Sequence, residues 1–353
     1  MASKSIKVLI VDDSALVRKM ITDSLQLDPE IEVVGVANDP LIAMEKIPRL
    51  QPDVLTLDML MPRMDGLTFL RKLRSENSTL PVVVISSLTQ QGSQLALDAL
   101  EAGAQEVLAK PDGQSSIGAL AGKLAFYIKA AYRARRPGQS GKQPFRAASV
   151  MTPAGPMSPV LGDRRLIVIG SSTGGVEALR YLLPALPDQL PPIVVVQHIP
   201  AYFSKAVANR INALAPYEVR EAVDGELLRP GICLLAPGNY HLMIVKDNGY
   251  RTRLLQTPPV HHCRPAVDIL FRSAASAAGP HGLAVLLTGM GSDGALGMQA
   301  IRQAGGHTLA EAEETCVIFG MPRAALELNA VDRCLPLDQI PQAIVDGLSR
   351  LRV

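Results

Sequence analysis

Three hydroxyls, Ser171, Ser172 and Thr173, stand between an apolar run and a glycine pair in "LIVIGSSTGGVEALR", residues 166–180. A strand-to-helix turn of this kind has two chemical uses, because the N–H groups at a helix start bind anions and also stabilise oxyanions. A P-loop needs G-x-x-x-x-G-K-[ST], whereas Gly174 and Gly175 are followed by Val176 and Glu177. A dinucleotide cradle needs G-x-G-x-x-G and an acid at the end of the next strand; the middle glycine is missing here, and "PIVVVQH" ends in Gln197-His198. A hydrolase reading uses what these two leave unexplained. Serine is a weak nucleophile until a base takes its proton, and the base needs an orienting carboxylate on its other nitrogen. His198 and Asp293, the latter at the end of "GLAVLLTGMGSDG", supply both in the chain order Ser, His, Asp. That order is not the Ser, Asp, His of the α/β-hydrolases, and "GSSTGG" is not their G-x-S-x-G elbow. Spacing alone leaves other roles open: Ser172 or Thr173 as caps of "GVEALRYLL", Asp293 as the N-cap of "GALGMQAIRQ", and His198 as a satisfied strand-end histidine.

A second constellation is acidic. Asp12 and Asp13 close "KVLIVDD" and Asp58 closes "VLTLDM". Carboxylates on neighbouring strand ends of a parallel sheet repel one another, so a hard, oxygen-seeking cation such as Mg²⁺ is expected among them. Ser86 or Ser87 of "VVVISS" and Lys110 of "VLAKP" would reach the same edge, a hydroxyl and an ammonium suited to a phosphoryl group. Together they fit a carboxylate that accepts a phosphoryl group. The competing roles are Asp13 as cap of a helix starting at Ser14 and Asp58 as a turn residue.

These residues must be held by elements, and the pattern supplies them. From residue 5 to about 132, five short apolar runs alternate with amphipathic helices, which predicts a five-stranded, doubly wound parallel sheet. Residues 133–163 are rich in Pro, Gly, Ser and Arg and read as a flexible basic linker; Arg133, Arg135, Arg136, Lys142 and Arg146 meet no acid before Asp163. From 164 to 353 the alternation resumes with strands "LIVIGSS", "PIVVVQH", "GLAVLLTGM" and "HTLAEA", a second doubly wound α/β domain. Its stretch "YEVREAVDGELLRPGICLLAPGNYHLMIVKDNGYRTRLLQT" carries "DG", "PG" and "DNGY" and predicts antiparallel hairpins beside that sheet.

Bulk properties set the bounds. A chain of 353 residues suits two domains. With 35 basic and 33 acidic residues, 4% aromatics and no Trp, it lacks the charge excess and stacking platforms of a nucleic-acid binder. Four dispersed cysteines without a C-x-x-C pair signal neither a disulfide framework nor a zinc site, and a reducing cytoplasm is the expected setting. No run approaches the ~18 apolar residues of a membrane span.

The motifs also carry resemblances. "VLIVDDSALVR", "LDMLMPRMDG", "VISS" and "AKPDG" resemble the receiver domain of two-component response regulators over roughly the first 125 residues. That resemblance implies phosphorylation of Asp58, Mg²⁺ bound by Asp12, Asp13 and Asp58 with Leu60 in the metal set, Ser86 as the switch hydroxyl and Lys110 as the phosphate partner. Val107 stands where many receivers carry an aromatic switch residue, so an aromatic rotamer switch is not expected. "IGSSTGGVEAL", "VVQHIP", "APGNYHL", "RPAVDILF", "LTGMGSDGALGM" and "FGMPRAA" resemble the catalytic domain of the chemotaxis protein-glutamate methylesterases, the CheB family. This implies Ser172 as nucleophile, His198 as general base, Asp293 as its orienting acid, and the N–H groups of Thr173 and Met290 as the oxyanion hole. Ser171 is expected to be a packing residue, and His241 to lie near the site without an assigned step. The implied reactions are hydrolysis of glutamyl methyl esters and deamidation of glutamines on chemoreceptors, without a cofactor. They are activated when a chemotaxis histidine kinase phosphorylates the receiver and give adaptation in chemotaxis signalling, with no nucleic-acid partner and no membrane insertion. The alternative is a response regulator with a non-catalytic, partner- or DNA-binding output domain, although residues 164–353 show no plain helix-turn-helix or basic cluster.

Overall fold

The computed structural model describes residues 5–87, 89–110, 117–134, 164–201 and 203–351. They form two compact units divided at 144/145.

The first unit runs β1 (Ile6–Val11), α1 (Ala15–Leu25), β2 (Ile31–Ala37), α2 (Pro40–Leu50), β3 (Val54–Asp58), α3 (Gly66–Ser75), β4 (Val82–Ser86), α4 (Gln90–Glu101), β5 (Glu106–Ala109) and α5 (Ile117–Ala134). The strands pair in parallel in the order β2-β1-β3-β4-β5, the doubly wound sheet that the alternation predicts. β3 and β4 are buried at every position, as central strands covered on both faces must be, hence their unbroken apolar runs. Helix starts are fixed by side chains: Ser14 accepts from the Val17 amide, Asp39 from Leu41 and Ile42, and Asp65 from Thr68, each cap contributing about 1 kcal/mol. The α1 cap is therefore Ser14, and the capping role considered for Asp13 is not seen. Helix α5 continues to Ala134, two residues past the expected boundary at 132; residues 135–163 of the expected linker, with Arg135, Arg136, Lys142 and Arg146, lie outside the described residues.

The second unit runs β6 (Leu166–Ser171), α6 (Gly175–Leu182), β7 (Ile193–Gln197), α7 (Phe203–Asn212), β8 (Glu218–Glu221), β9 (Ile232–Leu235), β10 (His241–Lys246), β11 (Tyr250–Leu255), α8 (Val267–Ala278), β12 (Gly282–Leu286), α9 (Ala295–Gln303), β13 (His307–Glu311), α10 (Met321–Glu327), β14 (Arg333–Leu335) and α11 (Ile340–Arg350). Seven strands pair in parallel in the order β14-β13-β12-β6-β7-β9-β8. The core is built on α8, where Val267, Leu270, Phe271 and Ala274 pack with Val168, Leu286 and Met298; removing the Phe271 ring would cost about 3–5 kcal/mol.

The expected hairpins are half right. β10 and β11 form an antiparallel hairpin turned at "DNG". β8 and β9, however, join the main sheet in parallel with β7. The fully buried "ICLL" of β9 explains this: an unbroken apolar run suits a strand covered on both faces, and the "DG" and "PG" dipeptides merely turn the chain of the crossover. The short edge strand β14, "RCL", was not foreseen, being three residues with no apolar run. Among the described residues no helix is long and apolar enough to cross a membrane.

Candidate active site

β6 lies at the centre of its sheet, between β7 and β12. The residues that leave the carboxyl ends of these three strands are therefore neighbours, at the edge where open α/β sheets place ligands. Ser172 follows β6, His198 follows β7, and Asp293 lies in the turn after β12. All three are buried.

The turn after β6 is shaped by its glycines. Gly174 has φ +80° and opens α6 with no side-chain cap, so Ser172 and Thr173 do not serve as caps. A Cβ on Gly175 would fall 2.2 Å from Gln197 Oε1, so only glycine lets α6 start this close to β7. The Ser172 amide donates to the Thr288 carbonyl at 3.0 Å, and the Ser172 carbonyl accepts from the Gly175 amide at 2.7 Å.

Gln197 was noted in the sequence only as the wrong residue for a ribose; here it fastens the site. Its Oε1 accepts from the Ser171 hydroxyl at 2.6 Å, and its Nε2 donates to the carbonyls of Ser172 at 2.8 Å and His198 at 3.1 Å. One amide thus holds the backbone of the candidate nucleophile and of the candidate base. Ser171, wholly buried, supports that amide as well as filling space.

The His198 ring donates from Nε2 to Asp293 Oδ2 at 2.7 Å. Asp293 also accepts from the amides of Val267 at 2.7 Å and Asp268 at 2.9 Å. It therefore caps α8 from outside that helix, while α9 is opened by Gly294; the N-cap role weighed for Asp293 on α9 is not seen. Burial works against its charge, but the imidazole and the two helix amides outweigh it and hold the carboxyl below its usual range. His198 is shifted the other way: burial opposes the cation, and the Cys263 thiol group and Asp293 together raise its pKa. With Nε2 committed to an ionised carboxylate, Nδ1 is the nitrogen left to take a proton. Its neighbour is Cys263 Sγ at 3.5 Å. Among the described residues no hydrogen bond joins the Ser172 hydroxyl to His198.

The loop after β12 braces the turn. The Thr288 hydroxyl donates to the Thr173 carbonyl at 3.0 Å, and the Thr288 amide donates to Glu311 Oε2 at 2.8 Å. Gly289 O accepts from the amides of Gly320 and Met321, which fixes the chain just before Met290. The Met290 amide has no acceptor among the described residues, as an amide kept for an oxyanion requires. Glu311 is a buried carboxyl missed in the sequence, and burial pushes it up to about 7. His241 is latched at both nitrogens, to the Pro258 carbonyl and the Ala266 amide, which makes it a fastener of the loop that carries Cys263.

In the first unit, β1 and β3 are neighbours and deliver Asp12, Asp13 and Asp58 to one place, with a carboxylate oxygen from each within 4.8 Å of the others. Lys110 Nζ lies 2.9 Å from Asp12 Oδ2 and 2.7 Å from Asp58 Oδ2, and neither oxygen has a further hydrogen-bond partner among the described residues. Three carboxylates against one ammonium leave a negative excess that a divalent cation would balance, so the donor set fits Mg²⁺. Leu60 offers only its main-chain carbonyl to such an ion. Burial, and then Asp12, raise the Asp58 pKa against the pull of Lys110; the Lys110 pKa is raised by Asp58 and Asp12 against burial. Gly66 lets the following loop fold back on Asp58, since a Cβ there would fall 2.2 Å from the Asp58 carbonyl oxygen. Ser86 is buried at the end of β4, its carbonyl accepting from the Lys110 amide at 2.8 Å, while Ser87 turns towards Thr89. Val107 is buried in β5.

Comparison with known proteins bears on both sites. Residues 167–344 match the family model described as CheB methylesterase, and residues 8–121 match the response regulator receiver domain. The chain is 46% identical over 341 residues to a protein-glutamate methylesterase/protein-glutamine glutaminase of Syntrophus aciditrophicus, covering 96% of this chain and 98% of that one. It is 45% identical over 361 residues to the protein of that name from Syntrophotalea carbinolica, covering 99% of each. The CheB methylesterase catalytic domain of Thermotoga maritima aligns with a TM-score of 0.51 at 41% identity, over 52% of this chain and 97% of that one.

Proposed function

Because the chain belongs to the CheB methylesterase family and carries a receiver domain ahead of the esterase unit, we propose that it is a phosphorylation-controlled hydrolase of chemoreceptors. It removes methyl groups from glutamyl esters and deamidates glutamines to glutamate. The observation that carries this reading is the 2.7 Å pair of His198 and Asp293 on strand ends beside Ser172. Ser172 Oγ attacks the side-chain carbonyl and its proton passes to His198 Nδ1; the same proton then goes to the departing methanol or ammonia, and water releases the acyl-enzyme. The amides of Thr173 and Met290 receive the oxyanion. Asp293 holds the imidazolium that forms.

In the receiver, Asp58 accepts the phosphoryl group from a histidine kinase, Lys110 pairs with the phosphoryl oxygens and Ser86 is the switch hydroxyl. Mg²⁺, held by Asp12, Asp13, Asp58 and the Leu60 carbonyl, would neutralise charge on the transferring phosphoryl group. The domain limits proposed are 1–132 for the receiver and 164–353 for the esterase, with the linker expected over 133–163 shortened at its start by helix α5, which runs to Ala134. The test is methanol release from methylated receptor. Ser172→Ala abolishes it, Ser171→Ala keeps most of it, and equal loss in both would remove Ser172 from the role. Incubation with a small phosphodonor and Mg²⁺ labels wild type and leaves Asp58→Asn unlabelled; a label on that variant would place the phosphosite elsewhere.

A further inference from the structure

One nitrogen of His198 is paired with Asp293 and the other, the one that would take the Ser172 proton, faces sulfur. Nε2 is committed to Asp293, and Nδ1, in a residue only 7% exposed, has Cys263 Sγ at 3.5 Å as its polar neighbour. A thiol, an imidazole and a carboxylate thus stand in one hydrogen-bonded row, the arrangement that turns a cysteine into a nucleophile. Cys263 is itself only partly buried, so a small reagent can reach it. Its position is enforced: Val260 and Cys263 exchange backbone hydrogen bonds of 3.0 and 2.9 Å, and His241 ties down the loop on either side. The other thiols differ. Cys233 and Cys316 are buried, Cys316 against Glu311, and the exposed Cys334 faces the Glu311 carbonyl; among the described residues none of the three has a hydrogen bond to an imidazole.

We propose that Cys263 is a second nucleophile sharing the base His198 with Ser172. Its modification by small soft electrophiles, hydroperoxides among them, switches the esterase off. The thiol proton passes to Nδ1 and leaves a thiolate beside an imidazolium held by Asp293. With hydrogen peroxide, the sulfur forms the S–O bond as the O–O bond breaks, and the departing hydroxide takes the proton from Nδ1 as water. The sulfur is oxidised by two electrons to the sulfenic acid, the peroxide is reduced, and a dithiol returns the thiol with loss of water. A capped sulfur occupies the space at Nδ1 and leaves Ser172 without a base. The loss of esterase activity rests on the proposed function; the reactivity of the thiol does not.

The test uses the full-length protein and iodoacetamide at pH 7, where the S–C bond forms and iodide leaves. Peptide mass spectrometry reads the alkylation rate at each cysteine, with N-acetylcysteine as the reference thiol. The expected result is alkylation of Cys263 about tenfold faster than the reference and than Cys334, with methanol release lost in step. His198→Gln brings the Cys263 rate down to the reference, and Cys263→Ala shows the same turnover before and after treatment. Peroxide gives a sulfenic acid trapped by dimedone at Cys263, and dithiothreitol restores turnover. The proposal is overturned if Cys263 reacts no faster than N-acetylcysteine, or if the alkylated wild type keeps its turnover. Untreated wild type that releases no methanol would overturn the esterase reading and leave the labelling rates to judge the thiol.

Discussion

Both units place their chemistry at the carboxyl edge of a parallel sheet, yet they manage buried charge in opposite ways. The first gathers three carboxylates around one ammonium and so leaves a site that is electrically incomplete. The second also buries carboxyls, Asp293, Asp268 and Glu311, but meets each with groups of its own: Asp293 with an imidazole and two helix amides, Asp268 with the Gly297 amide and His261, and Glu311 with the Thr288 amide and the Thr315 hydroxyl. Strand order supplies a place for chemistry in each case, and the surplus or balance of charge decides which chemistry it is. An incomplete site attracts a cation and a phosphoryl group; a balanced, dry one can hold a base ready for a neutral ester.

This contrast can be broken experimentally, and the largest effect is all-or-none. Chelation of divalent ions should stop phosphodonor labelling of Asp58 while the basal methanol release, measured without any phosphodonor, is unchanged. Loss of that basal release on chelation would show that the second site is not self-sufficient. Next in size, Asp293→Asn should lower kcat by about 10⁴-fold, as expected when the base is held in the wrong tautomer. The asparagine oxygen can still accept from an α8 amide, so the thermal midpoint should move little; a collapse of the fold instead would make Asp293 chiefly structural.

Gln197→Met keeps the bulk of the side chain but loses both donors. It should lower kcat about 10–100-fold with KM little changed, as a displaced nucleophile does. An effect on KM alone would point to substrate contact. The smallest expected effect is on stability. Glu311 is pushed up to about 7 by burial from an ordinary carboxyl near 4.5, so the folded state holds its proton more tightly than the unfolded chain. The stability from this group is fully present below the unfolded value and is lost as pH rises through the folded one, an amount on the order of 3 kcal/mol. Glu311→Gln should flatten the fall in thermal midpoint between about pH 4.5 and pH 7; an unchanged slope would mean that Glu311 is solvated in the fold.

The strand-end residues were legible because they follow local patterns. Asp12, Asp58, Ser172 and His198 each close a β-branched run, and the alternation that predicts a parallel sheet also predicts that such ends meet. Asp293 was legible as a third strand end, but its helix was not: it caps α8, which precedes it in the chain, where local spacing suggested α9. Gln197, Glu311 and Cys263 were illegible for the same reason. Their roles arise from contacts across the sheet or from a loop folded over it, and no periodicity encodes those. β8 and β9 were misread because turn dipeptides report where a chain bends and not which strand it joins next.

The central place of β6 also bears on how the site comes into being. β6 begins at Leu166, but its partner β12 begins only at Gly282, and the helix that Asp293 caps lies between them. Synthesis delivers the hydroxyl first, the imidazole next and the carboxylate last, and the sheet cannot be completed around β6 until β12 has left the ribosome. A site assembled from such distant segments forms late and as a whole. A nascent or truncated chain that ends before Asp293 would carry the serine and the histidine with no means of aligning them, so hydrolytic capacity arrives together with the finished fold.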